Sequence, residues 1–246
     1  VHHPATHLHH HMLFRGTKKR TGTDINREAV RLGDTFDAFT DLYSTFVFIR
    51  VAPQHTHRGF KLLCDMVRNS TVESETLEKE KQIVIREIED WGEEPQRVLR
   101  HLVYRALYNR HPAREVIIED PKVTAQVTRE QILEIHQKFY NAAQQLIVVA
   151  VGRFNPVKLL KTIGESLGDL TKSVESPFGV PEEEYSRKTT KSVVHRWHGK
   201  KAHLMFGFRA PLCYHSDYFP MCVLSAILGE GVDSRLYTEL REKTGL

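Results

Sequence analysis

Two stretches of the chain repeat one another. "FIRVAPQHTHRGFKLLC" (residues 48–64) and "FGFRAPLCYHSDYFPMC" (206–222) align at an offset of 158 residues. Phe48 then matches Phe206, Ala52 matches Ala210, Pro53 matches Pro211, His57 matches His215 and Cys64 matches Cys222. Five identities in seventeen positions are a weak signal alone. Each copy, however, reads as a β-segment, an Ala-Pro stop, a short turn and an amphipathic helix, in the same order. A unit that recurs with its element order intact points to two homologous α+β halves in one chain. The first half is expected over 1–170. A Pro-, Gly-, Ser- and Glu-rich linker follows over 171–188, and the second half runs over 189–246, truncated at Leu246.

Within the first half, residues 5–14 read as a helix ending near Gly16. Residues 24–33 read as a second, with Asp24 as N-cap and Gly33 as stop. "TFDAFT" and "STFVFIRVAP" have the Thr, Phe and Val content of strands, the latter closed by Pro53. Residues 55–69 form an apolar-periodic helix through Phe60, Leu63, Cys64 and Val67. Residues 74–91 form a longer one, with Ser74 as N-cap and a stripe of Leu77, Val84, Ile88 and Trp91. Further helices are expected over 95–108, 128–139 and 156–168. "QLIVVAVGRF" is a continuous apolar run, as in a strand buried on both faces.

Composition narrows the function classes. Hydrophobic residues make up 40% and charged residues 27%, the balance of an ordinary globular protein. The net charge of +4 is spread over interleaved acids and bases, so no nucleic-acid partner is expected. The densest basic run, "RGTKKRTGT", reads as a solvated turn. No apolar run approaches bilayer-spanning length, so no membrane partner is expected either. The three cysteines, Cys64, Cys213 and Cys222, show no pairing pattern and fit a reducing, cytoplasmic compartment. A periplasmic location stays open, because a chain that starts at Val1 and ends in "REKTGL" reads as a piece of a longer protein.

The candidate chemistry lies in "HLHHHMLF", residues 7–14. His7 and His11 are four apart and share a helix face; His10 joins them there and His9 points away. Two imidazoles on one face can hold one metal ion, and hydrolytic zinc takes three protein ligands and keeps one position open. The helix over 74–91 is the best supplier of the third. Its Glu80 and Glu87 are seven residues apart and share a face, with the apolar stripe opposite them. A solvated histidine-rich tail is the competing reading, since six of the first eleven residues are His. Cys64 and Cys222 read as small buried core residues. His57 and His215 read as turn or helix-start residues. "LGEGVDSRL" lacks the Lys-Ser/Thr of a phosphate loop and reads as a hinge or a segment facing a substrate chamber.

The chain resembles the pitrilysin/insulinase zinc metallopeptidases, family M16, and most closely their processing-peptidase branch. The family's inverted motif H-x-x-E-H, usually within "AHFLEHMLFKGT", matches "ATHLHHHMLFRGT". "RLGDTFDAFT" resembles "GG-x-x-NAYT", "LLCDMVRNSTVESETLEKEKQIVIREIED" resembles the segment with the distal glutamates, and "ILGEGVDSRLYTELREKTGL" resembles "LGGGMSSRLFQEIREK-GL". Carried over by position, His7 and His11 match the zinc histidines. Glu87, separated from His11 by seventy-five residues, matches the distal glutamate ligand, and Glu80 a supporting glutamate. The resemblance implies a clamshell of duplicated α/β-sandwich halves, a Zn2+ cofactor and association with a like or related M16-type chain. It further implies hydrolysis of peptides or presequence-like segments, added as a strand near Asp37, Ala38, Phe39 and Thr40.

Four departures bear on this. The family's catalytic glutamate, the base for the water that zinc activates, is His10 here. Its ring could accept a proton, or could itself ligate the metal and close the site. The "NAYT" asparagine is Asp37, and the acidic residue a few positions on is Tyr43. The second half's substrate-facing Arg and Tyr would fall beyond Leu246. The alternative function is therefore a non-catalytic M16-like subunit that binds peptide or a partner chain.

Overall fold

A nine-residue helix with three adjacent histidines is too short to hold itself together in water. Helix α1 (Pro4–Met12) is held by packing: Ala5, Leu8 and Met12 are fully buried in one cluster. That cluster also takes Leu77, Val84 and Ile88 of the long helix α4 (Ser74–Glu93). Burying each large side chain of this kind contributes about 1.5–3 kcal/mol. The computed structural model describes residues 4–33, 35–40, 44–115, 120–140, 143, 146–170 and 189–245. The expected linker over 171–188 and Tyr43 lie outside these.

Helix α2 (Gly22–Leu32) starts in a capping box, with Thr21 as N-cap and Asp24 at its third position. The sequence reading placed the cap on Asp24. The Thr21 hydroxyl takes the Asp24 N–H, and the Asp24 carboxylate answers the Thr21 N–H, so the two residues cap jointly. Strands β1 (Thr35–Thr40) and β2 (Thr45–Arg50) form an antiparallel pair with Ala38 opposite Val47 and Thr40 opposite Thr45. Helix α3 (Thr56–Asn69) covers them, and a second cluster of Ile25, Ala29, Leu32, Leu62 and Met66 takes in Phe36, Ile49 and Val51.

The buried ridge of α3 is Gly59, Leu62 and Met66 with Cys64, not the expected Phe60, Leu63 and Val67, which are only half-buried. Gly59 explains the rotation. A Cβ there would lie 2.7 Å from a Val51 methyl carbon, so the helix approaches β2 through its glycine. In α4 the first helical residue is Ser74 and the N-cap is Glu73, which makes no side-chain cap bond, so Ser74 is not the cap. Helices α5 (Pro95–Leu107), α6 (Pro121–Ala125) and α7 (Arg129–Ile135) follow. A π-helical turn, His136–Tyr140, continues α7, and α8 (Pro156–Leu167) comes next. No helix of the described residues is long and apolar enough to cross a membrane.

The chain divides into two compact units, Val1–Tyr185 with Lys191–Met205 and Ser186–Thr190 with Phe206–Leu246. The smaller unit holds α9 (Tyr218–Gly229) and a π-helical turn, Tyr237–Glu242. An offset of 158 would carry α3 to residues 214–227, and α9 overlaps that range only in part. Three other expectations are corrected. The apolar run at 146–151 is not a strand buried on both faces: Ile147, Val149 and Val151 are exposed, and it has no ladder partner among the described residues. The same holds for the β-segment expected at 206–211. An apolar run states only what a strand would bury; it forms one where a neighbour takes its backbone N–H and C=O groups. Cys222, expected in the core, is exposed, whereas Cys64 is buried as expected. A helix buries its cysteine only where another element covers that side.

Candidate metal centre

Helix α1 turns His7 and His11 toward α4, one helical turn apart, while Leu8 and Met12 anchor the helix beneath them. On α4, Glu80 and Glu87 rise from the same side that carries Leu77, Val84 and Ile88. Glu80 is fully buried within that stripe. This corrects the expectation that the stripe runs opposite the glutamates. Seven residues bring both glutamates to the α1-facing side, and the apolar side chains fill the turns between them.

The geometry joins the histidines to both carboxylates. Glu87 Oε2 lies 3.6 Å from His7 Nε2 and 3.6 Å from His11 Nε2. These separations are long for hydrogen bonds. They match the roughly 3.4 Å edge of a tetrahedron whose arms are zinc–nitrogen and zinc–oxygen bonds of about 2.0–2.1 Å. The ligand atoms of His7, His10 and His11 lie within 4.8 Å of one another. One carboxylate oxygen equidistant from two imidazole nitrogens is the donor set a zinc ion takes. Glu87, His7 and His11 therefore fit the ion that the sequence implies.

Glu80 does different work. His11 Nδ1 donates to Glu80 Oε2 at 3.2 Å, which leaves His11 Nε2 as the metal-facing atom. Arg15 grips the same carboxylate with Nε at 2.7 Å and a terminal nitrogen at 3.1 Å. Burial would raise the Glu80 carboxyl; the hydrogen bonds from His11 and Arg15 outweigh it and hold the group below its ordinary range. Trp91, one turn beyond Glu87, stacks on the His7 ring at 5.4 Å with the planes 6° apart. The sequence reading placed Trp91 in the stripe and did not assign it to His7. Arg15 lies four residues after His11, a spacing that could have revealed it.

His10 turns to the sheet. Its Nδ1 lies 3.1 Å from Thr40 Oγ1, which in turn lies 3.1 Å from Thr45 Oγ1 across the strand pair. The four β1 residues expected to bind substrate divide by strand alternation. Ala38 is buried and Thr40 half-buried, with Thr40 reaching His10. Asp37 and Phe39 lie on the other face and are exposed, and Phe39 stacks on Phe46 at 4.7 Å. Asp37 Oδ1 accepts from the Ala38 N–H at 2.8 Å.

His9 points away, as expected, but into the protein. His136 Nε2 donates to the Arg68 carbonyl at 3.4 Å, and His9 Nε2 donates to His136 Nδ1 at 2.9 Å. Both rings are neutral in this chain of bonds. His9 Nδ1 has no hydrogen-bond partner among the described residues. Burial, with His136 and His10 alongside, pushes His9 well below its ordinary value. Burial also pushes His136 below its ordinary 6.5; the Arg68 carbonyl opposes the shift and Lys18 adds to it. A histidine whose folded pKa is depressed contributes full stability above its unfolded value and loses it as pH falls toward the folded one. Stability should therefore decline below about pH 6.5, with His136 contributing up to about 1.4 kcal/mol per pH unit. Urea unfolding from neutral to mildly acidic pH checks this. His136→Gln keeps an acceptor for His9 and should flatten the decline; an unchanged slope would exclude His136 as its source.

Comparison with known proteins gives the family. The family model described as Insulinase (Peptidase family M16) matches residues 4–121, and that described as Peptidase M16 inactive domain matches residues 126–246. The uncharacterized zinc protease YmxG of Bacillus subtilis is 26% identical over 248 residues, with 98% of this chain and 58% of that protein covered. An uncharacterized zinc protease of Rickettsia felis is 27% identical over 244 residues, with 98% and 57% covered. The chain thus spans a little over half the length of these curated relatives. The crystal structure of a protease from Helicobacter pylori shares the fold with a TM-score of 0.83 at 22% identity, over 99% of this chain and 59% of that one. That of a peptidase M16 inactive domain from Pseudomonas fluorescens gives 0.75 at 20% identity, over 97% and 58%. With the two family models covering nearly its whole length, the chain belongs to peptidase family M16.

Proposed function

We propose that this chain is the zinc-binding part of an M16 metalloendopeptidase-like protein that takes extended peptides or presequence-like segments. His7, His11 and Glu87 would hold the ion, with Glu80 orienting His11. The single observation that carries this is Glu87 Oε2 at 3.6 Å from both His7 Nε2 and His11 Nε2. When bound, zinc supplies Lewis-acid polarisation of a peptide carbonyl and activation of a water. The chain's own residues do the rest. Glu80 and Arg15 lock His11 in the tautomer that offers Nε2. Trp91 covers one face of His7. Strand β1 offers its backbone to an extended peptide beside α1, in the manner of strand addition. The whole protein is a clamshell of duplicated α+β halves in this reading, working with another M16-like chain and lying in a reducing compartment.

Zinc content by elemental analysis tests the reading. About one zinc per chain is expected, and Glu87→Gln should weaken binding about tenfold or more, because a neutral amide is a poorer ligand than a carboxylate. Retention of zinc at full affinity by Glu87→Gln would overturn the ligand assignment. A second reading, a peptide-binding subunit without hydrolytic activity, is favoured by His10: the residue at the family's base position is an imidazole tied to Thr40.

A further inference from the structure

We infer that His10 is a third imidazole ligand of the metal, seated by Thr40, so that His7, His10, His11 and Glu87 close the site. The inference rests on the metal-binding reading above and adds its fourth protein ligand.

Three observations converge on it. The ligand atoms of His7, His10 and His11 lie within 4.8 Å of one another. Closing them to the roughly 3.4 Å edges of a tetrahedral zinc site needs movements of about 1 Å, within reach of small χ adjustments. The rings crowd one region: the His10 centroid is 4.7 Å from that of His11 and 5.0 Å from that of His7. Thr40, backed by Thr45 across the β1–β2 pair, holds His10 at Nδ1, each contact being 3.1 Å. With Nδ1 held by Thr40, His10 would offer the metal its Nε2, since a ligand histidine is commonly fixed at one ring nitrogen by a second group. The carbonyl or carboxylate that ordinarily fills this outer role is here a hydroxyl relayed between two strands.

The assignment has a functional consequence. Three imidazoles and a carboxylate fill the four positions of a tetrahedral zinc ion, which is the pattern of a structural site. His10 then holds no proton-transfer role. The ion would join α1 to α4 through Glu87 and to β1 through Thr40, and peptide held at β1 would be bound without being cleaved, which selects the second, non-hydrolytic reading of the function over the first. Thr40 is a positioning residue: it acts on the ion only through His10.

X-ray absorption at the zinc edge of the zinc-loaded full chain counts the imidazoles directly and needs no variant. Three are expected; two would overturn the inference while leaving the metal site standing. Zinc affinity by competition with a chelator adds the second measurement. Loss of an outer partner of a ligand weakens binding roughly 10–100-fold. His10→Ala should therefore weaken zinc by about 100-fold and Thr40→Val by about tenfold, with no further loss when Thr40→Val is added to His10→Ala. Unchanged affinity in His10→Ala would reject the inference and spare the reading that His7, His11 and Glu87 bind zinc. A full chain that takes up no zinc would reject both.

Discussion

If the proposed function holds, replacing His10 by Glu is expected to raise peptide hydrolysis by the full-length protein about 100-fold or more, measured with a quenched peptide against the His10 protein under the same conditions. Two effects act together. The substitution removes an imidazole whose ring stands among those of His7 and His11, which frees a position at the ion. It also supplies a carboxylate that can take a proton from the attacking water and pass it to the leaving amine; positioned acid–base groups contribute about 10²–10⁴-fold. The scaffold for both is in place: Glu80 fixes His11, and α1 is anchored through Leu8 and Met12, which the substitution does not touch. Thr40 would meet the new carboxylate with a hydroxyl donor where it now meets Nδ1. His10→Gln is the control, since an amide removes the imidazole without supplying a base. A Glu chain no more active than the Gln chain would show that the base is not what this chain lacks.

The histidine and glutamate cluster was legible in the sequence because helical spacing is a rigid ruler. Residues i, i+3 and i+4 must share a face, so His7, His10 and His11 had to meet, and Glu80 and Glu87 had to rise from one side of α4. What spacing leaves out is the neighbouring element. The adjacency of stripe and glutamates was itself in the spacing, Leu77, Glu80, Val84 and Glu87 being three or four residues apart, but spacing could not show that α1 lies on both. It could not find the His9–His136 bond, formed across 127 residues. It marked Trp91 as core without showing the ring it covers. The strand readings divided for a related reason. β1 and β2 are adjacent in sequence and supply each other's ladder, whereas the runs at 146–151 and 206–211 depended on partners elsewhere. Burial of Cys64 and exposure of Cys222 show the same rule: both lie on helices, and the covering layer decides what each helix hides.

Glu80→Ala should be the most damaging single change at the site, costing about 3 kcal/mol of stability and about 10–100-fold in zinc affinity. The stability loss follows from where the carboxylate stands. It is buried on α4, yet receives His11 from α1 and two nitrogens from Arg15 just after α1. Its removal strips these donors of their acceptor in the buried part of the interface and opens a gap beside Leu77 and Val84. Arg15 is partly exposed and regains water, which keeps the cost at the lower end of the range for a broken buried pair. The affinity loss has a separate origin: without Glu80 the His11 ring is free to flip or change tautomer and no longer presents Nε2 by default. Glu80→Gln separates the two effects. Its amide oxygen can still accept from His11 or from Arg15, but it carries no charge for Arg15, so it should retain most of the zinc affinity while losing part of the stability. Unfolding in urea of the metal-free chain reads the first effect and chelator competition the second. If Glu80→Ala destabilised the metal-free chain by less than Arg15→Ala does, Glu80 would not be what fastens α1 to α4.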